Sequence, residues 1–354
     1  MTKDDLIIDY DDPILITGAN GFIGSRVVGT LLNYGFTNLR CFVRPSSDLA
    51  ALNKVIGAHE AAKVHITKGN LLSREDCNRI IHDVSVIYHL AAGSGEKSYP
   101  EAYLNSVVTT RNLLDTTLRN KRLKRFVNVS SFSVYSNRNI RRGELLDETC
   151  DVESLPKSRG DAYCYAKVKQ DELVLDYNKQ FRIPLVMVRP GVVYGPGKKG
   201  IHGRIGIDTF GIFLHLGGSN KIPLTYVDNC ADAIVLAGII KGVEGEIFNI
   251  VDDDILTSRK FLKMYKENVR NFKSLYIPYR IFYLFTYLWE KYSAWSEGQL
   301  PPVFNRRKCE TAWKGNQYSN AKIKNLLGWK QKTPTDEGLR RYARFQRRAE
   351  GIDD

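Results

Sequence analysis

Over roughly the first 130 residues, apolar and polar positions alternate in blocks. Short apolar runs occur at Ile14-Leu15-Ile16, Leu39 to Val43, Val64 to Thr67, Val84 to Leu90 and Phe126 to Val129. Runs of this length, bounded by Gly, Pro or Ser, predict buried parallel strands. Between them apolar residues recur at helical spacing, as in Ser25-Arg26-Val27-Val28-Gly29-Thr30-Leu31-Leu32 and over Tyr99 to Arg119. Strand and helix patterns in alternation predict an α/β fold, a doubly wound parallel sheet. The same pattern resumes in a helix over Tyr163 to Gln180, a strand at Leu185 to Val188, a helix over Asp228 to Lys241 and a strand at Ile247 to Val251. The polar stretch Arg138 to Arg159 carries Gly143 and Pro156 and reads as a loop. After Pro190 the pattern is less regular, with glycine at 200, 203, 206, 211, 217 and 218.

The first strand ends in Thr17-Gly18-Ala19-Asn20-Gly21-Phe22-Ile23-Gly24, with glycines three apart. A tight turn of this kind between strand and helix lets backbone N–H groups approach a pyrophosphate at the positive end of the helix. The context therefore favours a dinucleotide site over an ordinary strand-to-helix turn. The second strand ends in Arg44-Pro45-Ser46-Ser47, where this architecture meets the adenosine ribose. An acid there would take a 2′-hydroxyl. Arg44 can instead pair with a 2′-phosphate, helped by the two serines, which favours NADP over NAD; a surface arginine is the other reading. Small residues at Ala91-Ala92-Gly93 would let the cofactor lie against the end of the fourth strand. The expected organisation is a dinucleotide-binding domain over 13–190, with contributions from about 224–251, and a smaller, interleaved C-terminal substrate-binding region over 191–345.

Composition changes this picture little. With 26 % charged and 43 % hydrophobic residues, the chain of 354 residues fits a soluble globular protein. Its six scattered cysteines contain no C-x-x-C pair, which argues for free thiols in a reducing compartment and against a zinc site. No metal is expected. The polar, acidic start Met1-Thr2-Lys3-Asp4-Asp5 is no signal peptide, so a cytoplasmic location is expected. The net charge of +13 is spread along the chain, apart from Arg340, Arg341, Arg344, Arg347 and Arg348, which read as a solvated helix face. No nucleic-acid motif accompanies the charge. Tyr276 to Tyr292 is densely aromatic, and its uncharged part, Ile281 to Trp289, is too short to span a bilayer. It suits a core helix, a dimer or lid surface, or a peripheral membrane contact. A homodimer is the expected assembly.

Tyr163 and Lys167 stand four apart, on one face of the expected helix. A phenol with a pKa of about 10 is a poor base at neutral pH. A neighbouring ammonium favours the phenolate and brings it toward the working range. With the glycine turn and the strand-end pair Ser130-Ser131, this spacing becomes much more specific.

At this point the sequence resembles the extended short-chain dehydrogenase/reductase family, often called the NAD-dependent epimerase/dehydratase family. The resemblance runs from roughly residue 13 to 345. It rests on the glycine turn, His89-Leu90-Ala91-Ala92, Asn105, Ser130 to Tyr135, Tyr163-x-x-x-Lys167, Arg189 to Pro196 and Tyr226-Val227-Asp228-Asn229. It implies a Rossmann sheet and an NAD(P)-dependent enzyme that moves hydride at a secondary-alcohol or ketone carbon of a small molecule. Tyr163 would be its general acid/base. Lys167 would lower the phenol's pKa and hold the nicotinamide ribose, Ser131 would hydrogen-bond the reacting oxygen, and Asn105 would support the site. Gly18, Asn20, Gly21, Phe22, Ile23, Gly24, Arg44, Leu71, Leu90, Ala91, Ala92, Pro190, Val192 and Val193 would line the cofactor. Asn70 stands where an acid often touches adenine, which weakens that one contact.

Departures narrow the substrate. The sugar 4,6-dehydratases of this family carry Asp-Glu after the catalytic hydroxyl, and this chain has Phe132-Ser133, which argues against elimination of water. No arginine precedes Tyr226-Val227-Asp228, where many nucleotide-sugar members bind pyrophosphate, although Arg204, Lys198 or Lys199 could substitute. Tyr318 to Lys322 and Leu326-Leu327-Gly328-Trp329 resemble the branch that includes hydroxysteroid dehydrogenases. The first reading is a nucleotide-sugar epimerase or reductase. The second is a hydroxysteroid dehydrogenase or dihydroflavonol-like ketone reductase acting on an apolar substrate. A non-catalytic dinucleotide sensor is the reading from another class.

Overall fold

The structure is a computed structural model and describes residues 3–59, 61–93, 98–297, 299 and 304–352. Met1 and Thr2 of the polar start lie outside the described residues. Seven parallel strands form the central sheet: β1 (Ile14–Thr17), β2 (Asn38–Val43), β3 (Lys63–Lys68), β4 (Val86–His89), β5 (Arg125–Val129), β6 (Leu185–Pro190) and β7 (Ile247–Ile250). Their spatial order is β3-β2-β1-β4-β5-β6-β7. The order reverses between β1 and β4, so a crevice opens there at the carboxyl ends of the strands. Register brings those ends level, with Thr17 opposite His89.

Away from the exposed edge strand β3, burial on both faces explains why the strands read as apolar runs. Along β1, Ile14 and Ile16 join the apolar cluster on one face and Leu15 the cluster on the other, the period-two alternation of a strand. The first cluster is covered by helices α1 (Gly24–Asn33) and α6 (Val227–Ile239), the second by α3 (Arg74–Ile81), α4 (Tyr99 to Thr117) and α5 (Ala162–Phe181). Helix α2 (Ala50–Gly57) packs against α1. The α6 backbone lies so close to the sheet that a Cβ on Gly238 would come 2.2 Å from the Tyr88 hydroxyl. That hydroxyl donates to the Val235 carbonyl at 2.8 Å.

The chain beyond β6 is interleaved with this sheet. The short strands Val192–Tyr194 and Leu224–Tyr226 pair in parallel, and α6 and β7 then return to the central sheet. A separate three-stranded sheet joins Gly206–Thr209, Ile212–His215 and Ser274–Tyr276. Near the end, Thr335–Ala349 is a helix that buries Leu339, Tyr342 and Ala343 and presents Arg340 and Arg341, each 2.8 Å from Glu337.

Two expectations need correction. Arg138 to Arg159 is not all loop: Leu145–Leu146 pairs with Gln317–Tyr318, and Pro156–Arg159 is a 3-10 turn. A two-residue strand whose partner is far along the chain has no local periodicity to betray it. The aromatic stretch is not a core helix. It forms the helix Tyr279–Trp295, which buries Phe282, Thr286 and Ser293. Ile281, Leu284, Phe285, Leu288, Tyr292 and Trp295 are exposed, Trp295 at 77 %. Their spacing puts these six on one outward stripe. Among the described residues, no helix is long and apolar enough to cross a membrane.

Candidate active site

The glycine turn borders the crevice between β1 and β4. Gly18 takes a left-handed φ of +70°, and a Cβ there would lie 3.0 Å from the Ala91 backbone nitrogen. A side chain would therefore push apart the two strand ends that define the crevice. Gly24 opens α1, and its Cβ would fall 2.1 Å from the Gly18 carbonyl oxygen, so no side chain fits at all. Gly21 is exposed at the tip of the turn. The Asn20 amide donates to the Asp48 carbonyl at 3.3 Å, which ties the turn to the segment after β2. Phe22 leans the other way, toward Gly197 and the apolar cluster of the substrate side. Ile23 is half-buried at the start of α1.

Around this turn, Arg44 is exposed directly after β2. Asn70 uses its side-chain oxygen to accept from the Leu72 N–H at 3.0 Å, and its own N–H donates to Asp76 at 2.8 Å. Leu71 turns inward and packs in the apolar cluster with Phe42 and Cys77. Leu90, Ala91 and Ala92 follow β4 and stay half-buried along the crevice. Pro190 is buried at the end of β6, Val192 is buried, and Val193 is half-exposed.

The second half of the site comes from β5 and α5. Asp161 caps α5, accepting from the Cys164 N–H at 3.1 Å. This fixes Tyr163 in the first turn and Lys167 one turn later. Ser131 follows β5 in extended conformation and caps the short turn Phe132–Val134, accepting from the Ser133 N–H at 3.1 Å. Burial raises the Tyr163 phenol above its ordinary pKa, and the Ser131 hydroxyl beside it acts in the opposite sense. Lys167 is 4 % exposed. It donates to the Val129 carbonyl at 2.8 Å and to the Gln170 side-chain oxygen at 2.8 Å. Burial brings its ammonium down to about 8, with Asp171 opposing. The two bonded lysine protons go to Val129 and Gln170, so neither of these bonds is made to the phenol. Asn105 lies in a π-helical stretch of α4, Leu104–Val108. The Thr109 and Thr110 hydroxyls after it donate to the Asn105 and Ser106 carbonyls, at 2.9 and 2.5 Å. Such insertions are frequent at functional sites.

Sequence reasoning missed the supports behind these residues. Gln170, Thr110, His89 and Thr17 form a buried hydrogen-bonded chain behind Lys167. Asp171 pairs with Arg189 at 3.2 Å, both side chains being 2 % exposed. Gln170 and Asp171 follow Lys167 by three and four residues on the same helix, and polar residues on its inward face were the available signal.

On the substrate side, Phe132 meets Tyr318 edge-on at 5.7 Å. Arg204 donates to the Thr311 carbonyl at 3.0 Å, and burial lowers its guanidinium, with the charge of Arg159 adding to that.

Fold and site together define an α/β protein of the extended short-chain dehydrogenase/reductase type. The chain belongs to the NAD-dependent epimerase/dehydratase family, whose model matches residues 14–250. It is 31 % identical over 224 residues to cinnamoyl-CoA reductase 2 of Medicago truncatula, covering 62 % of this chain and 63 % of that one. It is 29 % identical over 266 residues to dTDP-D-glucose 4,6-dehydratase of Dictyostelium discoideum, covering 71 % and 60 %. It therefore spans less than two thirds of the length of these two relatives. A 3beta-hydroxysteroid-dehydrogenase/decarboxylase of Arabidopsis thaliana is 23 % identical over 352 residues, covering 92 % and 78 %. Among solved structures, the UDP-glucuronic acid 4-epimerase of Bacillus cereus in complex with NAD superposes with a TM-score of 0.70 at 20 % identity, covering 95 % of this chain and 99 % of that one. At that identity the likeness shows the fold.

Proposed function

We propose that the protein is an NAD(P)-dependent oxidoreductase or isomerase that moves hydride at a secondary-alcohol or ketone carbon, a nucleotide-sugar epimerase or reductase. The observation that carries this reading is the convergence of Tyr163, Lys167 and Ser131 beside the glycine turn at the β1–β4 crevice. A crevice where side chains are excluded at Gly18 and Gly24, with Ala91 and Ala92 on the opposite wall, suits a flat dinucleotide. When bound, the nicotinamide supplies or accepts the hydride. The Tyr163 phenol gives a proton to the substrate oxygen or takes one from it, and Ser131 orients that oxygen by a hydrogen bond. Lys167 holds positive charge beside the phenol and a donor toward the ribose. Asn105 supports the site from the π stretch of α4. Asn20, Phe22, Ile23, Asn70, Leu90, Pro190, Val192 and Val193 complete the cofactor wall, with Leu71 acting from behind it. Residues 13–190 with about 224–251 serve the dinucleotide, and the remainder of 191–345 serves the substrate.

The absence of an Asp-Glu pair after Ser131 argues against elimination of water. Phe132 against Tyr318 favours a second reading, a ketone reductase of hydroxysteroid or dihydroflavonol type acting on an apolar substrate. The protein should be denatured and its supernatant examined for nucleotide, then assayed with a panel of NDP-sugars and ketosteroids. An epimerase retains its cofactor and consumes none. A reductase oxidises it in step with product. Conversion of neither substrate class would sink both readings.

We further propose a preference for NADP, with Arg44 as its selector. Losing a charge-assisted phosphate contact costs about 1.5–3 kcal/mol. Arg44→Asp should therefore reverse the ratio of NADP to NAD affinity measured by calorimetry. An unchanged ratio would remove Arg44 from the site.

The outward stripe of the aromatic helix supports a peripheral membrane contact, since Trp and Tyr suit the headgroup level and Arg280 and Lys291 flank the apolar residues. Leu284→Glu with Leu288→Glu should abolish co-sedimentation with anionic vesicles. If the unaltered protein stays in the supernatant, the contact does not exist. Exposed Leu104, Leu175 and Phe181 on α4 and α5 support a homodimer, which sedimentation velocity tests. We place the protein in the cytoplasm, in keeping with six cysteines that are all free, five of them buried.

A further inference from the structure

We propose that Gln170 is the positioning residue of Lys167. Its side-chain carbonyl holds the ammonium in place, and its amide is held in turn by a buried hydrogen-bond chain that reaches the glycine turn. This rests on the function proposed above, in which Lys167 serves cofactor and phenol.

The direction of every bond in the chain follows from counting donors. The Thr110 hydroxyl has one proton, and it goes to the Ser106 carbonyl at 2.5 Å. Thr110 must then accept from its other two partners. One is the Gln170 amide nitrogen at 2.7 Å. The other is His89 Nε2 at 2.8 Å. His89 therefore carries its proton on Nε2, and Nδ1 accepts from the Thr17 hydroxyl at 2.8 Å. Thr17 in turn accepts from the Ala91 N–H at 3.3 Å. This also fixes the Gln170 amide: its nitrogen faces Thr110, so its oxygen faces Lys167, at 2.8 Å. With a second proton on the Val129 carbonyl, the ammonium has one donor left beyond these two bonds.

The side chains of this chain are all buried. Lys167, Gln170, Thr110, His89 and Thr17 are each at most 4 % exposed. A buried network with every member satisfied specifies one geometry. His89 cannot disturb it by gaining a proton, because burial, together with the charge of Lys167, brings its pKa down to about 3. The groups that face Lys167 are few. Among the described residues these are Asp171 on its own helix and His89 from β4, with Arg189 from β6 paired to Asp171. Asp171 gives its bonded oxygen to Arg189, so Gln170 is the side chain that accepts directly from the ammonium. The chain also joins the two halves of the site. Ala91 sits where a Cβ on Gly18 would strike, so the same bonds brace the crevice and aim the lysine.

The test titrates Lys167 in the free protein by NMR of labelled lysine carbons, with the signal assigned by its loss in Lys167→Met. Dinucleotide affinity is measured by calorimetry over the same pH range. Gln170→Leu keeps the bulk and removes the acceptor. The titration of Lys167 should fall by about 1–2 pH units, the scale of a lost hydrogen bond to a charged group. The alkaline loss of dinucleotide affinity should move down with it. Gln170→Glu keeps an acceptor and adds negative charge, so both should move up. A purely structural role would move neither in opposite directions. The proposal is overturned if Gln170→Leu leaves the titration in place, or if both variants shift the same way. If the Leu variant does not fold, the Glu variant decides alone, by an upward shift or its absence. A protein that binds no dinucleotide would overturn the proposed function, while the Lys167 titration would still decide the role of Gln170.

Discussion

Replacing Tyr163 by Phe should lower turnover about 10²–10⁴-fold, the range for a lost general acid/base, while dinucleotide affinity stays close to that of the unaltered protein. The ring remains, so packing in the first turn of α5 is kept; only the hydroxyl, the proposed proton carrier, is removed. The phenol in this structure is raised by burial, with Ser131 opposing. A phenol raised in this way stays protonated at neutral pH, so the oxidative direction, which needs the phenolate, should suffer from any loss of nearby positive charge. Lys167→Met removes that charge and the proposed ribose donor together, and should lower turnover and weaken dinucleotide binding in one step. A sensor would behave differently, because its ligand affinity would be its whole function and Tyr163→Phe would leave every output unchanged. Steady-state kinetics on a substrate the protein converts, with calorimetry on the same samples, separates these cases. If Tyr163→Phe turns over at the unaltered rate, the catalytic assignment is wrong.

The parts of this site that were legible in the sequence are those held by short-range rules. Ile14-Leu15-Ile16 before three spaced glycines announces strand, turn and helix, because few other arrangements satisfy an apolar run followed by residues with no side chain. The spacing of Tyr163 and Lys167 is legible because a helix puts them on one face. What was not legible depends on contacts across the sheet. Nothing local in Gln170 says that its amide will meet Thr110 from α4, or that His89 will bridge Thr110 to Thr17. Leu145–Leu146 is hidden for the same reason, since its strand partner is Gln317–Tyr318. The aromatic helix misled in another way. Its composition suits a core, yet its buried face includes Thr286 and Ser293 while Leu284 and Leu288 face outward. Composition without phase does not tell which side of a helix is covered.

Arg189→Met should destabilise the fold by about 3–5 kcal/mol, the cost of leaving one partner of a buried ion pair alone. A domain is typically stable by about 5–15 kcal/mol, so this is a large share of the total. Arg189 leaves the sheet from β6, pairs with Asp171 on α5, and lies 4.8 Å from the centre of the Tyr135 ring. Tyr135 in turn donates to the Asn249 side chain on β7 at 2.7 Å. The column therefore clamps the helix that carries Tyr163 and Lys167 against β6 and β7. Arg189 Nε is buried without a hydrogen-bond partner among the described residues, and Ser130 adds a hydrogen bond to the Asp171 carboxylate beside that of Arg189. Burial raises the Asp171 carboxyl above its ordinary pKa, with Arg189 opposing. A raised folded-state value means that the neutral acid is the form the fold prefers. The ionisation penalty is absent below the unfolded carboxyl pKa of about 3.9 and complete above the folded one. Removing Arg189 raises the folded value further and deepens that penalty. The stability deficit of Arg189→Met should therefore be largest near neutral pH and shrink as pH falls through the carboxylate range. Adding Asp171→Leu to the same variant removes the stranded carboxyl and should recover at least half of the loss at neutral pH. Urea unfolding of the four proteins of this cycle, at neutral and at acid pH, measures each term. A deficit that stays constant with pH, or a double variant no more stable than Arg189→Met, would show that the column acts through packing and not through the buried charge.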